Sequence, residues 1–348
     1  MNIRYVCLIF AAFFLSTGCE RNEPFGIDCE EAARITQAAL SIQELMSARE
    51  LHGGFSDAKV FLVTAKSEAY VMRFSPSSHL DPRELACLKI ASDSGYGPHL
   101  YAIAPDQRYV IMGYVIPHTI TREDRSSKQY YQALGQVVSK MHHGPNFPEH
   151  EGIFTQIKHD LDKLKECFHL KNLTTRMETM LPVIQRGLAS VSSEAPCHND
   201  LNPNNTIFTG SSFKIIDYGT AGQDDPYFDV ATVIQFNCLN STKREEELMN
   251  AYLGRSMTSK ERARLYLMKQ AVRICYAARL ILLGSSPEQS DEIDLGSETY
   301  EEFVMKSGSA GFDARRLAFH LFKMASTSFE SAEFQRAIST TTTREASL

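Results

Sequence analysis

The 348 residues include no tryptophan, the side chain whose aromatic face binds organic cations best. A site for such a cation must therefore use the rings of the 14 tyrosines or the 20 phenylalanines. Positive charge is also scarce, since 36 Lys and Arg residues stand against 42 Asp and Glu residues and give a net charge of −6. A chain with this balance has no broad basic surface for a phosphate backbone, so we expect no nucleic-acid partner.

Closely spaced cysteines are missing too. None of the 8 cysteines forms a Cys-x-x-Cys pair, which excludes the usual spacing of a structural zinc site, and their density is too low for a disulfide framework. The sequence has no internal repeat. Because 43% of this long chain is hydrophobic, its core is too large for one ordinary domain, and we expect two domains or lobes.

Long apolar runs are absent, but a short one stands at the start. Arg4 precedes apolar residues 5–15, and small residues then lead to Cys19. This order is typical of a secretory signal, and Gly18 before Cys19 resembles a bacterial lipoprotein cleavage site. We predict that residues 1–24 are a signal-peptide or lipoprotein-like segment that exports the protein or attaches it to a membrane. A buried N-terminal helix is the alternative.

The region after this segment has the pattern of a small antiparallel sheet with helices. A polar and apolar spacing of 3.6 residues predicts a helix over residues 28–49, and Gly53 and Gly54 predict a hairpin turn. Asp81 is the expected N-cap of a helix that starts at Pro82 and stops at Gly95. The predicted strands are residues 59–63, 68–74, 100–104 and 108–112.

The rest of the chain is mainly helical. We assign residues 25–116 to an N-terminal lobe, residues 113–117 to a hinge, residues 117–338 to a helical lobe and residues 339–348 to a disordered tail. Helical spacing predicts helices at residues 128–142, 157–167, 174–190, 228–236, 244–253, 259–283 and 313–326. Two short strands around a loop rich in Asn and Pro interrupt them at residues 195–218.

That loop carries the residues suited to chemistry. Asp200 and Asn205 lie between two strands, and Asp217 follows the next strand. In phosphoryl transfer, one carboxylate takes or orients the proton of the attacking hydroxyl, while an amide oxygen and a second carboxylate hold Mg²⁺ against the phosphates. The alternative is that these three residues only form local Asx turns.

The sequence His198-Asn199-Asp200-Leu201 resembles the catalytic loop of the choline and ethanolamine kinases and their relatives, the aminoglycoside phosphotransferases. The resemblance extends from about residue 53 to residue 253. It implies an α+β, two-lobed, protein-kinase-like fold with a small antiparallel sheet lobe and a mainly helical lobe. The implied site has Asp200 as catalytic base, His198 shaping the loop, Asn205 and Asp217 as Mg²⁺ ligands, and Asp229 hydrogen-bonded to the loop.

The resemblance also implies an ATP site on the sheet lobe. Gly53, Gly54 and Ser56 would cover the phosphates. Arg73 would face them and pair with Glu84. The strand over residues 108–114, with Met112 and Tyr114, would meet the adenine through backbone groups.

The function implied is transfer of the γ-phosphoryl group of ATP, with Mg²⁺, to a hydroxyl of a small cationic molecule such as choline, ethanolamine or a related amino alcohol. Two alternatives stay open: an aminoglycoside-type or other small-alcohol kinase, and a catalytically degenerate exported lipoprotein that binds a ligand. Asp57 stands where the family usually has Asn, and with the signal-like start it favours the last alternative. Use of ATP favours the cytoplasm of a bacterium or host cell.

Some residues allow a structural or a functional interpretation. Tyr227, Tyr252, Tyr276 and Glu246 could line a cationic acceptor pocket or belong to the core. His142 and His143 fit a solvated helix end.

Overall fold

The computed structural model describes residues 27–44, 46–51, 58–76, 78–166, 170–284, 293–310 and 313–343. The predicted signal segment, residues 1–24, lies outside the described residues, as do Gly53, Gly54, Ser56 and Asp57. Within the described residues, no helix has both the length and the apolar character needed to cross a membrane.

The N-terminal part is a five-stranded antiparallel sheet with two helices. The strands stand in the order β1-β2-β3-β5-β4. All four predicted strands are present within one or two residues of their predicted bounds. The elements are α1 (Cys29–Leu40), β1 (Ser47–Glu50), β2 (Lys59–Thr64), β3 (Ala69–Phe74), α2 (Pro82–Ser94), β4 (Leu100–Ile103) and β5 (Tyr109–Gly113).

The prediction of one helix over residues 28–49 is wrong in its second half. Helix α1 ends at Leu40, and Ser41 follows in the left-handed region at φ 53°. Ser47–Glu50 pair with β2, from Ser47 opposite Thr64 to Glu50 opposite Phe61. Pairing with a neighbouring strand therefore outweighs the helical spacing of these residues. Gly53 and Gly54, which lie outside the described residues, therefore stand between β1 and β2 in the sequence.

The two faces of the sheet have different partners. Phe61, Val63 and Met72 are completely buried in a cluster that includes Ala32 of α1. Side chains alternate between the faces of a strand, so Arg73 points away from this cluster. The face of β3 opposite α1 therefore carries a charged side chain, that of Arg73.

Helix α2 begins and ends as predicted. The Asp81 side chain accepts a hydrogen bond from the Arg83 backbone N–H at 2.8 Å, and Pro82 occupies the first helical position. Gly95 ends the helix at φ 77°, a conformation that glycine adopts without a steric cost.

The C-terminal part is mainly helical and contains two small two-stranded sheets, β6 with β9 and β7 with β8. Its helices are α3 (Arg122–Ser126), α4 (Lys128–His142), α5 (Ile153–Lys165), α6 (Lys171–Leu188), α7 (Pro226–Asn237), α8 (Thr242–Leu253), α9 (Ser259–Gly284), α10 (Tyr300–Ala310), α11 (Ala314–Phe329) and α12 (Ala332–Thr342). Its strands are β6 (Ala195–Cys197), β7 (Thr206–Phe208), β8 (Phe213–Ile215) and β9 (Gly222–Asp224), and a 3-10 turn covers Pro203–Asn205. This arrangement confirms the α+β prediction.

Helix α9 organises the helical core. Its 26 residues contact α5, α6, α7, α11 and α12. Cys275, Ala277 and Ala278 are completely buried, and Tyr276 between them is 4% exposed. A side chain in this stretch of α9 therefore has little freedom to move.

Three short helices, α3, α10 and α12, are missing from the sequence prediction. In α12 the Ser331 hydroxyl accepts a hydrogen bond from the Phe334 backbone N–H at 3.1 Å, and Phe334 and Ala337 are buried. The predicted disorder of the tail is wrong for residues 339–342, which complete this helix, because its apolar side packs on α9 and α6. Residues 344–348 lie outside the described residues.

Candidate active site

One buried carboxylate fixes the loop between β6 and β7, residues 198–205. Asp229 is completely buried in α7. Its Oδ2 accepts the His198 backbone N–H and its Oδ1 accepts the Asn199 backbone N–H, each at 2.7 Å. Asn199 has a φ of 63°, in the left-handed region that Asn tolerates better than most residues. The loop thus takes its shape from the protein itself.

The same carboxylate contacts His142 at the end of α4. His142 Nε2 lies 3.1 Å from Asp229 Oδ2, and its Nδ1 lies 2.9 Å from the Tyr252 hydroxyl. His142 is only 6% exposed, so its interpretation as part of a solvated helix end is wrong. A histidine pair at a helix end gives no sign of this contact, because the partner carboxylate is 87 residues away in the sequence.

His142, Cys197 and Asp229 bring three possible metal-ligand atoms within 4.8 Å of one another, a grouping found nowhere else among the described residues. All three side chains already have partners. The Cys197 thiol donates to the Asp224 backbone oxygen at 3.3 Å, and burial raises the thiol pKa well above its usual range. Since the thiolate is the metal-binding form, this cluster serves as a brace for the loop.

His198 lies inside the loop and away from solvent. It is completely buried, and its Nε2 donates to the Ile216 backbone oxygen at 2.9 Å. Its backbone oxygen accepts the Thr220 hydroxyl at 2.9 Å. These contacts connect the loop to the segment after β8, and they fit a residue that shapes the loop.

Asp200 is the carboxylate of this loop, and its side chain accepts three hydrogen bonds. Its Oδ1 accepts Asn202 Nδ2 at 3.0 Å and also the Tyr276 hydroxyl. Its Oδ2 accepts Asn205 Nδ2 at 3.1 Å. Tyr276 comes from α9, 76 residues further along the chain, so local sequence does not reveal this contact.

Asn205 and Asp217 lie at the same end of the β7-β8 sheet, because the Ile216 backbone N–H donates to the Asn205 backbone oxygen at 3.0 Å. The Asn205 amide nitrogen is used on Asp200, at 2.9 Å from its backbone oxygen, which leaves the amide oxygen available. Asp217 is exposed, and among the described residues no donor contacts its carboxylate. Two hard oxygens of this kind fit Mg²⁺, which binds through few protein ligands and keeps several waters.

Arg73 and Glu84 form an ion pair between β3 and α2. Arg73 Nη1 donates to Glu84 Oε1, and the two side chains are 22% and 10% exposed. Glu84 is the third residue of its helix, a position where it could instead have capped the helix end. The side chain reaches across to the sheet instead.

The end of β5 has fewer free backbone groups for an adenine base than the resemblance implies. The Tyr114 backbone N–H donates to the Ala69 backbone oxygen at 3.0 Å, and the Gly113 N–H donates to the His99 oxygen at 2.8 Å. Tyr114 can therefore offer its carbonyl oxygen to a base but not its N–H. Met112 is partly buried and packs against the large core.

Arg83 is a residue that the sequence analysis missed. Its guanidinium donates to the backbone oxygens of Gly219, at 2.9 Å, and of Ala221. It thus joins the sheet part, through α2, to the segment that follows Asp217. The family resemblance assigns a role to the next residue, Glu84, but no sequence pattern marks an arginine that binds backbone oxygens.

The four residues considered for a cationic acceptor pocket do not come together. Tyr252 binds His142, Tyr276 binds Asp200, and Tyr227 lies under the Arg264 guanidinium at 4.0 Å. Glu246 is exposed on α8, 3.7 Å from Arg262. Of these four side chains, Tyr276 contacts the predicted base Asp200, and Tyr252 contacts His142, which binds Asp229.

An antiparallel sheet followed by helices, with Asp200, Asn205 and Asp217 on adjoining loops, defines a phosphotransferase of protein-kinase-like fold. The sequence profile of the phosphotransferase enzyme family matches residues 47–266, more than half of the chain. The protein therefore belongs to this family, and the predicted fold is confirmed.

Relatives of known name share parts of the sequence or the whole fold. Protein LicA of Haemophilus influenzae is 29% identical over 112 residues, which are 29% of this chain and 40% of that protein. The chain thus spans less than half the length of this curated relative. A choline/ethanolamine kinase family protein from Mesorhizobium loti superposes with a TM-score of 0.64 at 18% identity, over 88% of this chain and 98% of that chain.

A spectinomycin phosphotransferase in complex with ADP and spectinomycin also has this fold. It superposes with a TM-score of 0.56 at 12% identity, over 90% of this chain and 98% of that chain. At these identities the solved structures establish the fold alone.

Proposed function

We propose that the protein is an ATP-dependent kinase that transfers the γ-phosphoryl group to a hydroxyl of a small molecule, with choline, ethanolamine or a related amino alcohol as acceptor. One observation carries this proposal. The Asp200 carboxylate is fixed by donors at both oxygens and lies beside the buried Asn205, and the exposed Asp217 lies at the same end of the β7-β8 sheet. Such a set of side chains suits phosphoryl transfer, where alignment and charge neutralisation supply most of the rate.

Asp200 acts as the base in this proposal. The acceptor O–H bond breaks as its oxygen bonds to the γ-phosphorus, the proton goes to Asp200, and the bond to the β-γ bridging oxygen breaks to release ADP. Asn205 and Asp217 would hold Mg²⁺, and the ion would neutralise charge on the phosphate oxygens. His198 keeps the loop in shape and moves no proton.

The sheet lobe binds ATP. Arg73, held by Glu84, supplies positive charge on the face of the sheet opposite α1. Gly53, Gly54 and Ser56 cover the phosphates, as the family resemblance implies. The carbonyl of Tyr114 and the side chain of Met112 border the base.

The acceptor class rests on likeness and charge. The Mesorhizobium loti protein is named for choline and ethanolamine, and the net charge of −6 suits a cationic acceptor. The absence of tryptophan favours a second candidate, an aminoglycoside-type or other small-alcohol kinase, because a choline site commonly uses aromatic faces.

A screen of acceptors decides between these candidates. Mg-ATP is mixed with choline, ethanolamine, spectinomycin or a neutral polyol; ADP release is followed, and the product is identified by ³¹P NMR. We expect acceptor-dependent ADP release that is highest with an amino alcohol and absent in Asp200→Asn. Release with spectinomycin or the polyol alone would support the second candidate.

A protein that only binds a ligand is tested separately. Isothermal titration with Mg-ATP should give a saturable heat. Because the Arg73–Glu84 ion pair holds the arginine in place, we expect Arg73→Ala to lower the affinity for Mg-ATP. If neither binding of Mg-ATP nor any phosphorylated product is detected, the proposed kinase function is wrong.

We also propose that residues 1–24 direct the protein to a membrane or out of the cell, while its use of ATP requires a compartment that supplies it. Mass spectrometry of the mature N-terminus tests this. A lipid on Cys19 would support attachment, whereas an intact Met1 in cytosolic protein would exclude export.

A further inference from the structure

We propose that Tyr276 is a positioning residue for Asp200: its hydroxyl occupies Oδ1, so that Oδ2 faces and receives the proton of the acceptor. This inference rests on the proposed kinase function and adds to it a residue from the helical core. It assigns to one buried tyrosine the task of orienting the base.

The first support is geometric. Tyr276 lies in the middle of α9 with 4% of its surface exposed, and its hydroxyl donates to Asp200 Oδ1. Its ring meets Phe236 of α7 edge-on, with centroids 4.8 Å apart and planes at 76°. Because the ring is held between two core helices, the hydroxyl can point in few directions.

The second support comes from counting acceptor positions. A carboxylate oxygen has two lone pairs for hydrogen bonds. Both positions of Oδ1 are used, by Tyr276 and by Asn202 at 3.0 Å. Oδ2 accepts Asn205 alone at 3.1 Å, so it keeps one position. The acceptor O–H bond therefore breaks toward Oδ2 as the acceptor oxygen bonds to the γ-phosphorus and ADP leaves with the bridging oxygen.

The third support is that Tyr276 stays a donor. Burial and the adjacent Asp200 charge raise the pKa of the Tyr276 hydroxyl well above its usual range. The other titratable groups around it are Cys275 and Arg279 of the same helix, and Arg279 Nε is 3.2 Å from Asp160 Oδ2 of α5. Tyr276 therefore keeps its proton, and stays a donor, at neutral pH.

The test uses Tyr276→Phe, which keeps the ring and removes only the hydroxyl. With Mg-ATP and the best acceptor from the screen, we expect kcat to fall about tenfold while the KM for ATP stays unchanged. The KM for the acceptor should likewise stay unchanged, because the hydroxyl orients the base and does not bind the acceptor.

Tyr300→Phe is the matched control. Tyr300 is also 4% exposed, and its hydroxyl donates to the Gln235 backbone oxygen at 3.0 Å, outside the site. Both variants lose one buried hydrogen bond and should unfold at similar urea concentrations, but Tyr300→Phe should keep the wild-type kcat. Equal losses of kcat in the two variants would overturn the inference.

A double-mutant cycle separates positioning from packing. In the Asp200→Asn background, Tyr276→Phe should cause no further loss, because no carboxylate is left to orient. A further tenfold loss would contradict the inference. A second cycle, measured as the free energy of urea unfolding, is a readout independent of turnover: the losses for Tyr276→Phe and Asp200→Ala should not add, because each variant breaks the same hydrogen bond. If the wild type transfers no phosphoryl group but these losses do not add, the proposed function fails while the Tyr276–Asp200 contact stands; additive losses reject the contact itself.

Discussion

Asp229 and Asp217 lie on the two sides of one short segment, and the protein treats them in opposite ways. Asp229 is completely buried and accepts two backbone N–H groups at 2.7 Å. Asp217 is exposed at the end of β8, in the left-handed region at φ 66°, and nothing in the described part of the chain binds its carboxylate. The loop is therefore shaped in advance, whereas the outward carboxylate stays solvated until a cation binds it.

Removal of Asp229 should have the largest effect. Asp229→Ala leaves two backbone N–H groups and His142 without their acceptor in a dry environment, so we expect the free energy of unfolding to fall by about 3 kcal/mol or more. Urea unfolding measures this. Asp93→Ala is the control, since Asp93 is 65% exposed beside Lys89 and its loss should change stability by no more than about 0.5 kcal/mol. If Asp229→Ala loses no more stability than Asp93→Ala, Asp229 does not stabilise the loop.

Asp217→Asn should give the reverse result. Because the side chain is exposed, its stability should match the wild type within about 0.5 kcal/mol. Turnover at saturating ATP should fall about a hundredfold, and the Mg²⁺ concentration for half-maximal activity should rise. A magnesium titration of activity is the measurement. If Asp217→Asn keeps the wild-type magnesium dependence, Asp217 is not a ligand of the ion.

Arg83 binds the segment that lies between Asp217 and Asp229. Arg83→Ala frees the backbone oxygens of Gly219 and Ala221, and with them the segment between Asp217 and Asp229. We expect a roughly tenfold loss in kcat/KM for ATP and a measurable loss of stability, because the arginine is only 20% exposed and two backbone oxygens lose their donor. Steady-state kinetics over a range of ATP concentrations checks this. The neighbouring Lys89→Ala, on an exposed part of the same helix, should be neutral.

Asp224 should make the stability of the protein depend on pH. Burial raises the pKa of Asp224 to about 6 from its ordinary value of 3.8. The folded protein therefore holds this proton more tightly than the unfolded chain, and the stability gained is present below about pH 4 and lost as the pH rises through about 6. Relative to the wild type, Asp224→Asn should become more stable between these values, by at most about 1.4 kcal/mol per pH unit.

Urea unfolding at several pH values measures this difference, with Asp93→Asn as the exposed control. A difference between Asp224→Asn and the wild type that stays constant from pH 4 to pH 6 would contradict the raised pKa.

Local patterns predicted the parts of the fold that local forces decide. The cap at Asp81, the stop at Gly95 and the extents of β2 and β3 depend on neighbours in the sequence, and the structure has them as predicted to within one residue. β1 was missed because its partner, β2, supplies the hydrogen bonds. The order of site residues along the chain was enough to group Asp200, Asn205 and Asp217.

Long-range contacts explain the rest. His142, Arg83 and Tyr276 each meet the site across 76 or more residues, so their spacing within their own helices resembles that of core or surface residues. The predicted tail was wrong at residues 339–342 because a polar composition hid the apolar stripe of Phe334 and Ala337 that anchors α12. A sequence pattern reports which side of a helix is buried but not what it is buried against.

The rate of a single turnover with Asp200→Asn tests the central claim most directly. Enzyme loaded with Mg-ATP is mixed with excess acceptor, and the phosphorylated product is followed in time; Asp162→Asn, 64% exposed on α5, is the matched control. We predict that the transfer rate constant falls by a factor on the order of 10² to 10⁴ while the affinity for Mg-ATP is kept. A rate within a few-fold of the wild type would show that Asp200 is not the base.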